Sequence, residues 1–409
     1  MNTHEFLDYL KHSQINLSLQ NGQLKCRAPK GLLTSTLRTE IAARKVEIFQ
    51  CLEALAVASP PSIQRRDLVE TSIANTSSSP ETNPADITLK PDNFPLVVTA
   101  PAPNVNLCDW IVEHRSAMRT KILTQGAILF RNFKLDGVID FERFIQRISG
   151  PTIPYSGESA GVTPRTTLHN HIYTSTEFSP RYHLPLHNEC SFAYTWPLKI
   201  FFYCLEASSQ GGATPIADSR NVLQRLPDSI KQGFIDRGVM YTRNYGLASG
   251  PTWQKVFNTT DKAVVEDCCR QAGTSVTWYP GDRLLTQTQR SAILQHPKTG
   301  ESVWFNHIYQ TNIASLDPNL NHALREAFKP EELPRNSYYG DGSEIEASVL
   351  EAIKTAYQQE TVRFDWQSGD VLMLDNMLTA HGREPFMPPR QVVVGMSEPF
   401  NRDLTSPVI

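Results

Sequence analysis

Residues 185–190 read PLHNEC, and they place His187 and Glu189 two positions apart, behind a proline and ahead of an aromatic-rich run. On an extended strand alternate side chains share a face, so this spacing sets an imidazole and a carboxylate against one point, as a metal ion would require. With 11 His and 42 Asp plus Glu in 409 residues, about one such pair is expected by chance, and one is present. The surroundings must therefore decide whether it is a ligand pair.

At 409 residues the chain exceeds one typical domain, and we expect a main body with a substantial core plus a smaller unit. The net charge of -3 offers no general attraction to nucleic acid or to an anionic membrane, so neither is expected as a partner. The start, MNTHEFLDYLKHSQ, lacks the apolar core of a signal peptide, and no stretch approaches the ~18 apolar residues of a membrane span. A soluble, cytoplasmic protein is expected. Seven cysteines, without zinc-finger spacing, read as reduced thiols, with Cys268 and Cys269 as helix residues.

The segment 57–87 is rich in Ser, Thr, Pro and Asn without a sustained apolar period, and reads as a flexible linker. Ahead of it, residues 1–56 show an α-β-β-α-α pattern. Asn21-Gly22 supplies a type I′ turn between strands in which Ile15, Leu17, Leu19 and Leu24, Cys26, Ala28 alternate with polar residues. So small a unit has a thin core, and we expect it to gain stability from a partner or as a homodimer. This segment, around LQNGQLKCRAPKGLLT, resembles the N-terminal docking domains of tubulysin-type nonribosomal peptide and polyketide synthase subunits. The resemblance implies that the hairpin receives the tail of an upstream subunit, and Lys25, Arg27 and Lys30 would suit an acidic tail.

Residues 88–409 form the main body. GAILFRNF, KIFFYCLEA, VRFDW, DVLMLDN and QVVVGM read as β-rich runs, FERFIQRISG as a helix, and 218–354, including a helical pattern over 221–234, as insertions on a β core. A further ligand must come from far along the chain, and the best candidate is His381, in SGDVLMLDNMLTAHGREPF. Two His and one carboxylate occupy one face of an octahedral site and leave the other open, the arrangement of non-haem Fe(II) oxygenases. Arg390 follows nine residues later, where a guanidinium inside a mostly dry barrel demands an anion such as a dicarboxylate cosubstrate.

These marks, LHNECSF at 186–192, GGATPIADSR at 211–220, VWFN at 303–306, and GDVLMLDN with HGR at 369–383, occur in this order. From about Phe94 to Phe400 the body resembles the TauD/TfdA family of Fe(II)- and 2-oxoglutarate-dependent dioxygenases, in the group with SyrP-like and clavaminate-synthase-like enzymes. The resemblance implies a mixed α and β fold, a double-stranded β-helix (jelly-roll) core with helical insertions. It implies that His187, Glu189 and His381 bind Fe(II), that Arg390 and Thr214 hold the far carboxylate of 2-oxoglutarate, and that O2 is the oxidant. Many relatives carry Asp where Glu189 stands, and halogenating relatives a small residue, so Glu189 favours hydroxylation over chlorination. Desaturation, epoxidation or cyclisation stays open.

Arg383 reads as a partner for a substrate carboxylate or as an ordinary ion pair. Asn188, Asn306 and Tyr309 read as substrate-facing or as completing structural hydrogen bonds. His169, His171 and His183, irregularly spaced, read as loop or channel histidines. The expected function is hydroxylation of an amino-acid unit tethered to a carrier protein in nonribosomal peptide or mixed polyketide biosynthesis, because a docking tether is wasted on a freely diffusing substrate. The rivals are a free amino acid hydroxylase, in which Arg383 would clamp the α-carboxylate, and a docking scaffold without catalysis.

Overall fold

The computed structural model describes residues 94–155, 165–247, 252–316 and 318–402, together with 10, 15–20, 23–27 and single positions between 37 and 48. The chain divides into two compact units, Met1–Thr88 and Leu89–Ile409.

In the first unit, strands β1 (Asn16–Gln20) and β2 (Gln23–Arg27) pair antiparallel, with Leu17 opposite Cys26 and Leu19 opposite Leu24. This register puts the alternating apolar positions across from one another, as the sequence pattern requires. Leu10, Ile15 and Ile48 form a small buried cluster. The side chains of Lys25 and Arg27, the whole of Lys30, most of the expected helices and the expected linker lie outside the described residues.

The second unit is a mixed α/β body with many strands. Its largest sheet has seven, in the order β3 (Leu96–Thr99), β4 (Ala127–Arg131), β16 (Val371–Asp375), β8 (Thr195–Glu206), β18 (Gln391–Asn401), β6 (Ile172–Thr174) and β5 (Thr167–His169). Alternate residues of β8 serve two cores, which is why IFFYC, 200–204, is apolar without a break. Phe201 and Tyr203 pack with Phe141, Phe144 and Ile145 of helix Gly137–Ser149, while Ile200, Phe202 and Cys204 join Leu372, Leu374, Val392 and Val394 on the other face. That second core also contains Ile216, from a three-stranded sheet in the order β7 (Leu184–His187), β17 (Thr379–Arg383), β9 (Ile216–Asp218).

Two expectations are corrected. VRFDW forms no strand: Val362 bridges only Ile216, while Phe364 and Trp366 plug the core beside it. The middle section is less helical than expected, because it carries an antiparallel sheet of its own, in the order β11 (Thr274–Tyr279), β12 (Arg283–Arg290), β10 (Val239–Tyr245), β15 (Arg335–Tyr339). Its strands are rich in Thr, Gln and Arg, so alternation of apolar with polar residues does not announce them. The helical pattern over 221–234 is split into Ser219–Arg225 and Asp228–Arg237, with Pro227 between them. A hairpin of β13 (Ile293–Gln295) and β14 (Ser302–Trp304) completes the strands. Cys268 and Cys269 lie in helix Lys262–Gln271, as expected. Among the described residues, no helix is long and apolar enough to cross a membrane.

Candidate active site

Strands β7 and β17 place His187 directly opposite His381. Their close approach needs Gly382, where a Cβ would lie 2.6 Å from the Leu184 carbonyl oxygen. Glu189 does not continue the strand, contrary to the extended reading of PLHNEC. β7 ends at His187, and the chain turns, with Cys190 at φ 58.

What holds the turn is Asn376. Its Oδ1 accepts from the Glu189 N–H at 2.7 Å, and its Nδ2 donates to the carbonyls of Glu189 and Pro197, both at 2.9 Å. Asp375 in turn shapes the loop carrying Asn376. Its Oδ1 accepts from the backbone of Met377 at 3.0 Å and Leu378 at 3.1 Å, and its Oδ2 faces Lys199 at 2.8 Å and His296 at 3.2 Å. The Asp-Asn pair of GDVLMLDN is thus a brace between the strand before His381 and the turn bearing Glu189.

The result is three buried donors around one point. The Nε2 atoms of His187 and His381 lie 3.9 and 3.7 Å from the same Glu189 Oε2. One ligand atom from each residue fits within 4.8 Å of the others, and among the described residues no other group of three His, Cys, Asp or Glu does so. His187 Nδ1 lies 2.8 Å from the Pro185 carbonyl, which can only accept, so the proton sits on Nδ1 and the lone pair on Nε2. Burial, reinforced by His381, lowers the His187 pKa to about 4 and keeps the ring neutral. Burial alone would raise the Glu189 pKa, but Arg165 and the two imidazoles overcome it and hold the carboxyl well below its usual range. A neutral His187 and an ionised Glu189 are in the protonation states that a divalent ion needs, and the donor set of two imidazoles and a carboxylate fits Fe(II).

A second polar cluster lies beyond β9. Thr214 Oγ1 accepts from Trp366 Nε1 at 3.0 Å and from Arg390 Nη2 at 3.4 Å, and Arg390 Nε donates to the Gly212 carbonyl at 2.8 Å. Gly212 has φ 79, and a Cβ there would come within 2.9 Å of Arg390 Cδ. Arg390 has no carboxylate within ion-pair distance among the described residues, and burial lowers its pKa to about 10. A half-buried guanidinium with no carboxylate partner among the described residues fits a carboxylate-bearing cosubstrate.

The other expected residues fall elsewhere. Arg383 is buried, but its Nη1 donates to the carbonyls of Thr176 and Phe178 at 3.2 and 2.9 Å, and its Nη2 to those of Ser179 and Tyr182 at 2.7 and 3.2 Å. It ties down the 176–182 loop and forms neither the ion pair nor the open carboxylate clamp read from sequence. Asn188 donates to Ser219 Oγ and the Asn376 carbonyl at 3.1 and 2.7 Å, and Asn306 donates to the Ala292 carbonyl while accepting from the Ile308 N–H. Both make structural hydrogen bonds, while the Asn188 Oδ1 is buried without a partner. Tyr309 is half-buried against the core, with its ring 6.4 Å from Tyr357. His169 pairs with Glu142 at 3.2 Å and His171 faces the Thr152 carbonyl at 3.0 Å, both apart from the triad.

Two neighbours of the triad carry no signal in the sequence. Arg165, buried, donates to Glu189 Oε2 at 3.0 Å, and its guanidinium lies 4.8 Å from the Tyr155 ring centre. His307, one residue past VWFN, stands 5.2 Å ring to ring from His187, with Nδ1 2.6 Å from Ser191 Oγ. Neither Arg165 nor His307 has a spacing to the ligands that a chain pattern would reveal.

A fold that sets two imidazoles and a carboxylate in a dry site defines a mononuclear metal enzyme of the 2-His-1-carboxylate type. Residues 90–396 match the family model described as taurine catabolism dioxygenase TauD, TfdA family, and residues 3–53 match the TubC N-terminal docking domain. Dapdiamide synthesis protein DdaC of Enterobacter agglomerans is 33% identical over 304 residues, covering 74% of this chain and 91% of its own. A clavaminate synthase-like protein of Arabidopsis thaliana is 28% identical over 322 residues, covering 74% and 93%. Among solved structures, PvcB from Pseudomonas aeruginosa aligns at a TM-score of 0.44 with 14% identity, over 74% of this chain and 84% of that one. This chain belongs to the TauD/TfdA family: it is a dioxygenase, with the family's Fe(II) and 2-oxoglutarate as cofactors.

Proposed function

We propose that the protein hydroxylates an amino-acid unit while that unit is tethered to a carrier protein of a nonribosomal peptide or mixed polyketide assembly line. The observation that carries this reading is the joining, in one chain, of a docking-domain match at 3–53 to a dioxygenase body with a complete His187, Glu189, His381 donor set. The seven- and three-stranded sheets are the two walls of the double-stranded β-helix. His187 Nε2, His381 Nε2 and the Glu189 carboxylate would hold Fe(II), and Arg390 with Thr214 would receive the distal carboxylate of 2-oxoglutarate. With both bound, the site supplies oxidation by O2: 2-oxoglutarate becomes succinate and CO2, and the second oxygen atom enters a substrate C–H bond.

The protein's own part is placement. His187 keeps its proton on Nδ1 through Pro185 and so offers Nε2. Asn376 sets the backbone of Glu189, and the apolar wall of Phe202, whose ring is 5.1 Å from that of His381, excludes water beside the ligand. A carboxylate at position 189 fills the place a halide would need, which favours hydroxylation. Relatives named for dapdiamide synthesis and for an isocyanoethenyl-indole synthase support a natural-product setting. The small core of the docking unit supports pairing with a second copy, which light scattering of residues 1–58 beside the full chain would test.

The deciding experiment supplies Fe(II), 2-oxoglutarate and O2 with aminoacyl carriers or the matching free amino acids, and follows succinate and intact product mass. The tethered unit should gain one oxygen, and His187→Ala, Glu189→Ala and His381→Ala should each abolish the gain. Oxidation of free amino acids alone would refute the carrier reading, and full activity in any triad variant would refute the metal assignment.

A further inference from the structure

Arg165 is buried against Glu189, yet only one of its three guanidinium nitrogens is spent there. Nη2 donates to Glu189 Oε2 at 3.0 Å, while Nε and Nη1 are buried without hydrogen-bond partners. The side chain retains 4% of its exposure, so water does not serve these groups, and a buried cationic donor left unmade is costly. Tyr155 lies beside this guanidinium, but among the described residues no second carboxylate meets its open edge.

The charge of the loaded site says what suits that edge. With both imidazoles neutral as ligands, a dication, the Glu189 carboxylate, the two carboxylates of 2-oxoglutarate, Arg390 and Arg165 leave one positive charge over. Arg383, whose guanidinium meets carbonyls and no carboxylate among the described residues, adds to that excess. In addition, Arg165 now leans on the oxygen nearest both imidazole Nε2 atoms. A dication placed there draws on the same carboxylate and weakens its hold on Arg165, so the open edge needs an anion most when the site is loaded.

We propose that Arg165 binds a carboxylate of the substrate beside the metal and thereby selects the C–H bond presented for oxidation. This rests on the proposed function and narrows its substrate class. The carboxylate has two sources: the α-carboxylate of a free amino acid, or the side-chain carboxylate of a unit whose own carboxyl is held as a carrier thioester.

The test uses Co(II) in place of Fe(II), with 2-oxoglutarate present, and reads the Co(II) absorption as probes bind. The probes are matched pairs: free amino acids against their α-amides, and aspartyl or glutamyl carrier against asparaginyl or glutaminyl carrier. Failure of the wild-type protein to bind Co(II) would overturn the proposed function itself, and with it the ground for this inference. Otherwise one pair should show a carboxylate preference of roughly 30-fold, the size of a charge-assisted contact, and which pair it is identifies the source. Arg165→Gln should erase the preference and bind Co(II) as tightly as wild type or up to about tenfold tighter, because a competing cation is gone. Arg165→Lys should keep part of the preference, which guards against a folding defect. Three results would overturn the proposal: no carboxylate preference in any wild-type pair, a preference that survives Arg165→Gln, or weaker Co(II) binding in Arg165→Gln with the preference intact, which would make Arg165 a strut for Glu189.

Discussion

Replacing Asn376 with alanine tests the claim that a brace, and not the local chain, sets Glu189. The side chain makes three hydrogen bonds to backbone groups, at 2.7 Å with the Glu189 N–H and 2.9 Å with the Glu189 and Pro197 carbonyls, and is fully buried. Truncation leaves these partners dry and unpaired, at about 1 kcal/mol each if the turn relaxes and about 3 kcal/mol each if it cannot. Relaxation is limited, because the Asn188 Nδ2 also donates to the Asn376 carbonyl and Cys190 holds a left-handed φ. We therefore expect Asn376→Ala to destabilise the body by about 5 to 9 kcal/mol and, where still folded, to weaken Fe(II) or Co(II) binding by roughly 10- to 100-fold. Urea unfolding monitored by tryptophan fluorescence gives the first number, and metal titration below the transition the second. Asn376→Asp keeps the acceptor, loses the amide donor and adds charge, so it should fare no better than alanine. If Asn376→Ala unfolds within about 0.5 kcal/mol of wild type and binds metal as well, the turn at Glu189 is set by its own sequence and the reasoning fails.

Three further outcomes are expected, two from the geometry of the body and one from the sequence of the docking unit. Arg390→Ala should raise the apparent KM for 2-oxoglutarate by roughly 30- to 1,000-fold, for loss of a contact worth about 2 to 4 kcal/mol, and an unchanged KM would remove Arg390 from the cosubstrate pocket. Burial would raise the Asp375 pKa, but Lys199 and His296 hold it down at about 2, so its contribution is complete above the unfolded value of roughly 3.9 and is lost as the pH falls towards 2. The stability difference between wild type and Asp375→Asn should accordingly shrink by about 2 kcal/mol between pH 4 and pH 2, and a flat difference would count against the ion pair. At the docking unit, Lys25→Glu with Arg27→Glu should weaken binding of an acidic upstream tail peptide, and wild-type affinity should fall with salt. Calorimetry at two ionic strengths showing neither effect would exclude electrostatic docking.

The chain itself announced what depends on residue type and short-range order. The apolar runs of β8, β16 and β18 are legible because a strand buried on both faces needs no polar positions. The Leu17 to Cys26 and Leu19 to Leu24 pairings are legible because a two-residue turn sets the register of a hairpin. His187, Glu189 and His381 are legible as candidate ligands through the ordered motifs around them that resemble the TauD/TfdA family, but Glu189 joins the two imidazoles from a turn, where the sequence suggests an extended strand.

What tertiary structure alone decided concerns partners separated by long stretches of chain. Arg165 meets Glu189, Asn376 clamps a turn lying 187 residues before it, and Arg383 spends its guanidinium on four carbonyls of a loop some 200 residues away. A hydrogen bond or ion pair depends on position and direction in space, and at such separations the chain constrains neither until the sheets have packed. A lone arginine therefore reads the same in sequence whether it meets loop carbonyls, a threonine and a glycine carbonyl, or a buried carboxylate, and only the packed surroundings of Arg383, Arg390 and Arg165 tell the three apart.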